Sequence, residues 1–533
     1  MRVTNFMVHN QSLNGLHRNM RHLSRMYEQA ASQRVISRPS EDPLVASRSL
    51  RFGTRIDQIG QHRQNVDSGL AWMSTTETAL FNLVRGEESI FGQIRDELTR
   101  ALNEPNVLDD RLVILNNLLN LSRQIGHEMN QNTDGRFVFS GWRANQPAIL
   151  MRDQPGVSHT ITQSFDIRDI ERTYAFQRLG ANDPFLDPPP VSILKLPFRE
   201  TGNGARDTQL TFGGTGSSAV TDIPGMPPFG VFDRNGDPFA VMIDDPANPG
   251  SQISVNVEIT QRRSDSPDAF VPGPGPSEIF YIADTGELVL GSAVAEQFTD
   301  GVSFRYQVSN LQADDLNPLV YFDTWSTIPR VDVSVPGPGV PDRNMNHHWP
   351  ISPRQTIYYE FNLGTSTHIN SLAHEVFTAT MFADLRRLID FGNALIPPNR
   401  QEIENFFRNR PEDLGGPLEG VDLLNAVNAQ IAEEEAAMRA AFTSRFENML
   451  AAMDRHSSTT IREHTNIGTR MNRVGAFESR LEEDQVNFIR LRSENEDLDM
   501  FAHAPRLNAA EFALHGALRV MANNVQLSLV NFV

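Results

Sequence analysis

Few residues in this chain have the types and spacing that chemistry needs. His347-His348-Trp349 could hold a metal or stack on a ring, but no third ligand follows at metal-site spacing. His127-Glu128 and His374-Glu375 lack the second histidine four residues on that a helical zinc site requires. Asp314-Asp315 with Asn317 offers oxygen ligands, yet not in the order of a calcium loop. Gly213-Gly214-Thr215-Gly216 has no lysine after it and reads as a turn, not a phosphate cradle. Lys195 is the only lysine, so Schiff-base chemistry has one candidate in 533 residues. Cysteine is absent, which removes thiol nucleophiles, cysteine-ligated metals and disulfides. The expectation is a protein that is not an enzyme, with no catalytic, cofactor-binding or metal residue and no cofactor.

What such a chain has in place of reactive groups is helical periodicity. From Val45 a mostly apolar seam runs in alternating steps of three and four, through Phe52, Ile56, Ile59, Val66, Leu70, Met73 and Leu80 and on to Leu98, with Ser49, Arg63, Glu77 and Glu87 as its polar members. That is a 3.5-residue repeat, which keeps one seam facing a partner helix. A single helix from Leu44 to Leu102 would be about 90 Å long and could not be buried in one globular core. Residues 1 to about 38 carry a second seam that includes Leu13, Leu16, Met20, Leu23 and Tyr27. They are basic, with six arginines against one glutamate over positions 1–40. The absence of lysine there and the seam running through it favour a packing helix over a nucleic-acid site.

Ser37-Arg38-Pro39-Ser40-Glu41-Asp42-Pro43 separates the two seams. Asp42 suits an N-cap and Pro43 the first helical position. A third helix is expected from about Leu108 to Gln131. Thr133-Asp134-Gly135-Arg136-Phe137-Val138-Phe139-Ser140-Gly141 then reads as turn, strand, turn.

From there to about 365 proline and glycine concentrate. Strand-like runs appear at Ile253–Thr260, Ile279–Ile282, Glu287–Leu290, Val302–Val308, Val331–Val335 and Thr356–Phe361, with a hairpin turn at Asp284-Thr285-Gly286. Helical pattern returns near Asn370. One long helix is expected from 421 to about 503, broken or kinked by Pro505, and a last helix carries Leu514, Leu518, Met521 and Val525.

The fold class is therefore α+β. A long antiparallel helical coiled-coil rod is built from the N- and C-terminal segments, and a mainly-β central domain is inserted into it. The expected boundaries are 1–40 and 505–533 for a terminal core domain, 41–150 and 370–504 for the rod, and 151–369 for the insert. The two chain crossings, near Pro147 and Asn370, should lie close together.

Four segments in this order resemble the flagellin superfamily. Arg34-Val35-Ile36-Ser37-Arg38-Pro39-Ser40-Glu41-Asp42-Pro43 is similar to its N-terminal signature, with Glu41 where aspartate is commoner. Asn132 to Gly141 looks like the form found in its junction proteins. Ile467-Gly468-Thr469-Arg470-Met471-Asn472-Arg473 resembles the returning helix, and Ser528-Leu529-Val530-Asn531-Phe532-Val533 the closing motif of hook-associated members. The resemblance covers about 1–150 and 370–533.

It implies a structural adaptor at the bacterial flagellar hook–filament junction, working by coiled-coil packing of its terminal helices. The implied partners are further copies of itself in a ring, the first hook-associated protein, flagellin and a flagellar export chaperone, with no nucleic acid and no membrane insertion. The implied location is extracellular, on the flagellum, reached without a cleavable signal peptide, in keeping with an N-terminus that has no apolar h-region. Two alternatives remain open at this point: a flagellin-type filament subunit and an intracellular coiled-coil scaffold.

Overall fold

The computed structural model describes residues 5–85, 88–103, 108–173, 190–202, 207–212, 229–245, 251–264, 273–328, 345–349, 355–362, 364–394, 398–409 and 416–530. Four helices come first: α1 (Asn5–Ser32), α2 (Pro43–Val84), α3 (Ile90–Asn103) and α4 (Leu108–Met129). Helix α2 begins where the sequence places it. Asp42 Oδ1 accepts the backbone N–H groups of Leu44 and Val45 at 3.0 and 3.1 Å, and Pro43, which has no N–H to leave unpaired, opens the helix.

The single helix expected from Leu44 to Leu102 is interrupted. Helix α2 stops at Val84, and α3 starts behind Ser89, whose Oγ accepts the Gly92 N–H at 3.3 Å. The intervening sequence, Arg85-Gly86-Glu87-Glu88-Ser89, holds a poor helix former and a capping serine that the apolar periodicity overran. Phe91, Ile94 and Leu98 keep the repeat going and are buried in α3, which packs on α4.

The turn after α4 is a two-residue hairpin between β1 (Asn132–Thr133) and β2 (Arg136–Phe137). Asp134 and Gly135 sit at φ +52° and +74°, the pair of left-handed residues that a type I′ turn needs. The central region contains β3 (Ser158–Phe165), β4 (Glu171–Thr173), β5 (Val191–Lys195), β6 (Gln209–Thr211), β7 (Gly230–Phe232), β8 (Ala240–Asp244) and β9 (Gln252–Asn256). It continues through β10 (Glu258–Arg262), β11 (Glu278–Ile282), β12 (Glu287–Leu290), α5 (Ser292–Glu296), β13 (Val302–Ser309) and α6 (Pro318–Tyr321). It closes with β14 (Asp323–Ile328), β15 (Met345–Trp349), β16 (Tyr358–Asn362) and β17 (Thr365–His368).

Two larger sheets form. One runs β10-β11-β12-β5-β4, antiparallel except for its β10/β11 edge. The other runs β15-β14-β3-β13-β6, with β7 also on β13. Strand β13 shows the alternation of a half-buried strand, with Val302, Phe304, Tyr306 and Val308 inward. The run read as one strand at Ile253–Thr260 is two, β9 and β10, and the run at Val331–Val335 lies outside the described residues.

Then follow α7 (Ala373–Val376), α8 (Met381–Ala394), α9 (Arg400–Arg408), α10 (Gly420–Glu496) and α11 (Met500–Val530). The expected break at Pro505 falls earlier. Helix α10 ends at Glu496, and Asp499 caps α11 by accepting from Phe501 and Ala502 N–H at 3.0 and 3.1 Å; Pro505 lies inside α11. The cap decides the boundary because it offers the orphan donors of a new first turn a partner, while Pro505, in the second turn, forgoes one intrahelical hydrogen bond.

The chain divides into two compact units. The first is Met1–Leu70, Tyr359–Thr367 and Asn472–Val533; the second is Ala71–Tyr358 and His368–Met471. In the first, α1 packs on α11, and the included parts of α2 and α10 run antiparallel: Asn495 Nδ2 donates to Val45 O at 3.0 Å and the Phe52 and Phe488 rings lie 6.3 Å apart. In the second, the sheets share a core with helices on either side of them in sequence. The outgoing and returning chains meet there, with Ala373 N–H donating to Phe139 O at 2.8 Å. Gly141, at φ +58°, is pressed so closely that a Cβ would stand 2.8 Å from Leu372 Cδ2.

Candidate assembly surfaces

Helical seams are the surfaces the sequence singles out, and the structure grades them. On α2 the positions seven apart, Ile59, Val66, Met73 and Leu80, are buried at 1 % exposure or less. The alternate positions Ile56 and Leu70 are only half-buried, as is Phe52 at the N-terminal end. Polar members of that alternate row reach α10 instead. Arg63 donates to Gln485 and pairs with Glu482 at 3.2 Å in the first unit, and Glu77 meets His464 Nε2 at 3.2 Å in the second. Helix α10 answers with its own heptad of buried residues: Phe446, Met453, Thr460, Ile467, Val474 and Leu481.

The terminal helices are less fully covered. Leu13, Leu16 and Leu23 on α1 are half-buried, as are Leu514 and Met521 on α11, while Met20 and Leu518 remain 52 % and 45 % exposed. The Val525 side chain lies outside the described residues. The α1–α11 contact is closed by residues the seam reading passed over: buried Met26, His503 and Ala510. His503 Nε2 contacts Met26 O at 3.0 Å, and the Tyr27 hydroxyl donates to Glu511. Tyr27 itself is 48 % exposed, so the phase of α1 is turned by one residue from the expected seam at this end. Phe501, Phe512 and Val520 on α11 are also exposed. A small histidine–carbonyl contact and an alanine are invisible to an apolar-periodicity count, which is why they were missed.

The candidate chemical residues do not converge. Glu128 accepts from Asn82 at 3.1 Å, Asp315 pairs with Arg386 at 3.0 Å, and Asn317 caps α6 through Leu319 N–H. His374 and Glu375 lie in the single turn of α7, and His347 and His348 in β15. Gly213–Gly216 lie outside the described residues. Among the described residues no three histidine, aspartate or glutamate side chains come together as a metal set.

Charge does converge at one place in the second unit, around the lone lysine. Lys195 Nζ on β5 lies 2.7 Å from Glu171 on β4 and 3.4 Å from Asp384 on α8. Arg387, one turn along α8, pairs with Asp384 at 3.3 Å and donates to the backbone oxygens of Thr285, Gly286 and Leu196. Arg445 of α10 pairs with Glu287 at 2.9 Å, and Arg455 with Glu171 at 3.0 Å. His456 completes the group between Thr378 and Asp384. Burial would raise the Asp384 and Glu287 carboxyls. The surroundings outweigh it and hold both below the ordinary carboxylate range: Lys195, a hydrogen bond with His456 and Arg387 around Asp384, and chiefly Arg445 around Glu287. This set fastens the β11–β12 turn, β4 and β5 onto α8 and α10. Its only sequence signal was the single lysine.

No protein-family model and no curated protein matches the chain. Solved structures do. A Vibrio parahaemolyticus protein designated as flagellar hook-associated aligns over 86 % of this chain and 100 % of its own, at 10 % identity and TM-score 0.35. FlgL of Xanthomonas campestris aligns over 83 % and 99 %, at 10 % identity and TM-score 0.30. The flagellar junction protein FlgL of Legionella pneumophila aligns over 85 % and 100 %, at 10 % identity and TM-score 0.29. These three structures bear the designations flagellar hook-associated protein, FlgL and flagellar junction protein FlgL. The chain itself has an α+β layout, with a long C-terminal helix and a β region in the middle.

Proposed function

We propose that this protein is a structural adaptor of the bacterial flagellum, placed at the hook–filament junction. The observation that carries the reading is the first unit. It brings the two ends of the chain, with the Arg34–Pro43 segment and α11, into one helical assembly whose seams stay partly exposed. Apolar surface left uncovered in one chain becomes driving force when copies or partners associate. In this reading α2 and α10 form a coiled-coil rod, residues 1–40 and 505–533 form the core-facing domain, 41–150 and 370–504 the rod domain, and 151–369 an outward domain. The partners are other copies in a ring, the first hook-associated protein on one side, flagellin on the other, and an export chaperone before secretion. The assembly residues are Leu13, Leu16, Met20 and Leu23 with Leu514, Leu518, Met521 and Val525. Among the described residues no helix is long and apolar enough to cross a membrane.

The test is complementation of a strain of the source bacterium lacking this gene. Attached filaments should be absent from the deletion strain and restored by the wild-type chain, and immunogold should mark one site per flagellum. Restoration by a chain carrying both Met20→Asp and Leu518→Asp should fail although that chain is exported. Label along the whole filament would identify a filament subunit instead, and label confined to the cytoplasm a scaffold.

A further inference from the structure

The turn between β7 and β8 places together groups that can react with one another. Its residues are Asp233-Arg234-Asn235-Gly236-Asp237. Below them the chain is closed by the Phe232/Pro238 bridge, by Phe239 N–H donating to Val231 O at 3.0 Å and by Asp233 N–H donating to Asp237 O at 2.8 Å. Gly236 stands at φ +88°, backbone that residues with a Cβ rarely adopt, so the turn itself calls for glycine here. A Cβ built on it would meet nothing within 4 Å, and Asn235 and Gly236 are both exposed. The asparagine is thus followed by the one residue that puts no side chain between its carboxamide and the next backbone nitrogen. The chain has three such Asn-Gly pairs; Asn14-Gly15 lies in α1, and Asn203-Gly204 lies outside the described residues.

Asp233 restrains the pair in the turn. Its Oδ1 accepts the backbone N–H groups of Asn235 and Asp237, each at 2.9 Å. Its Oδ2 accepts from Asn235 Nδ2 at 3.3 Å, and its backbone oxygen accepts the Gly236 N–H at 3.1 Å. The last two bonds engage the two groups that a ring closure would use, the leaving amide and the attacking nitrogen. We propose that Asn235 is a site of spontaneous deamidation whose rate is held down by Asp233. Gly236 N gives up its proton to solvent base and attacks Asn235 Cγ. A C–N bond forms, closing a succinimide ring, and the bond from Cγ to Nδ2 breaks, so that ammonia leaves with one proton taken from water. Water then opens the ring at either carbonyl. Opening at Cγ breaks the new bond and leaves aspartate; opening at the backbone carbonyl breaks the original peptide bond and leaves isoaspartate, whose main chain runs through Cβ and Cγ. In sum the amide and water give a carboxylate and ammonia, with no change of oxidation state. Both reacting groups belong to adjacent residues, so the step is intramolecular and needs no enzyme. It adds a negative charge to a chain whose formal net charge is −19. Isoaspartate also lengthens, by a backbone carbon, a turn that directly follows the β7/β13 pairing.

The test holds the full-length protein in mildly alkaline buffer over days, then digests it and reads each asparagine by mass spectrometry. In the folded wild type the Asn235 peptide should gain the mass difference of OH for NH2 and separate into aspartate and isoaspartate forms. Asn409, exposed but followed by arginine, should stay intact over the same period. Asp233→Ala should speed conversion at Asn235 on the order of tenfold, the effect of losing hydrogen bonds to a charged acceptor. Asp233→Asn, whose side-chain oxygen can still accept the two backbone N–H groups, should return the rate most of the way to wild type. Native tryptophan emission checks that each variant keeps its fold, since Trp72, Trp142, Trp325 and Trp349 share a unit with this turn. Asn235 left intact in the folded wild type while urea-unfolded chain converts would overturn the site, as would equal conversion at Asn409. Aspartate without isoaspartate would mean direct hydrolysis and overturn the ring closure. An Asp233→Ala rate equal to wild type, or an Asp233→Asn rate as fast as that of Asp233→Ala, would overturn the restraint; the wild-type measurement stands whatever the variants do.

Discussion

The two units of this chain are stabilised by opposite means. The first carries sixteen arginines against fifteen acidic residues and is close to neutral; the second holds thirty-one basic against fifty-one acidic residues, and so all of the chain's negative excess. The first places apolar residues at heptad spacing along helices and leaves part of that surface uncovered. The second closes its core and buries a set of ion pairs within it. A near-neutral surface with exposed seams tolerates close approach of further copies, whereas strongly acidic units repel one another and stay soluble. The contrast teaches where association is expected to occur in this molecule and where it is resisted.

All four tryptophans, Trp72, Trp142, Trp325 and Trp349, belong to the second unit, so their fluorescence follows that unit alone while helical circular dichroism follows both. The largest effect should come from the first unit's seam. Val66→Asp would bury a carboxylate with no cation provided for it, and should destabilise that unit by more than about 4 kcal/mol. Helical signal should be lost at a temperature where tryptophan emission is still native. Simultaneous loss of both would show that the two units unfold together and that the comparison is too sharply drawn.

Next in size is the ionic set of the second unit. Asp384→Ala leaves Lys195 and Arg387 facing each other without their shared carboxylate, and should cost about 3–5 kcal/mol. Here denaturant unfolding followed by tryptophan emission should shift. A midpoint equal to wild type would mean that the cluster is solvated and contributes little.

Acid should also separate the units. Burial pushes His159 down to about 4, between Ser326 Oγ at 2.9 Å and Gln154 Oε1 at 3.2 Å. The unfolded chain binds that proton at about pH 6.5, so stability is complete above this value and falls as pH drops from about 6.5 to about 4, by about 3 kcal/mol. Asp384 and Glu287, held low in the fold, add a further loss as pH falls below about 4. His159→Gln should flatten the upper part of this profile in tryptophan-detected melts; a wild-type slope in the variant would place its origin elsewhere.

The smallest effect sharpens the comparison from the other side. Asp42→Ala removes the cap of α2 and should cost about 1 kcal/mol in the helical signal, with the tryptophan transition unmoved.

Local chemistry fixed several features in advance, because it acts within a few residues. Asp42 and Pro43 could start a helix wherever the chain was later packed, Asp134-Gly135 and Asp284-Thr285-Gly286 could turn it, and residues seven apart on α2 had to share one side. Features that depend on distant residues were left to the tertiary structure. Periodicity did not tell the buried row of Ile59, Val66, Met73 and Leu80 from the half-covered row of Ile56 and Leu70, since depth depends on how α10 approaches. Nor did it register the stop at Val84, because Phe91, Ile94 and Leu98 resume the same spacing on a different helix. Lys195 showed only that it was alone; its carboxylates lie 24 residues before it and 189 after it, and only the meeting of β4, β5 and α8 makes them partners. The antiparallel bridge between Arg34 and Asp497 is of the same kind. Backbone groups carry no side-chain signature of what they will bond, so the sequence determined the helices and their turns, while the tertiary structure decided which helix ends are tied together.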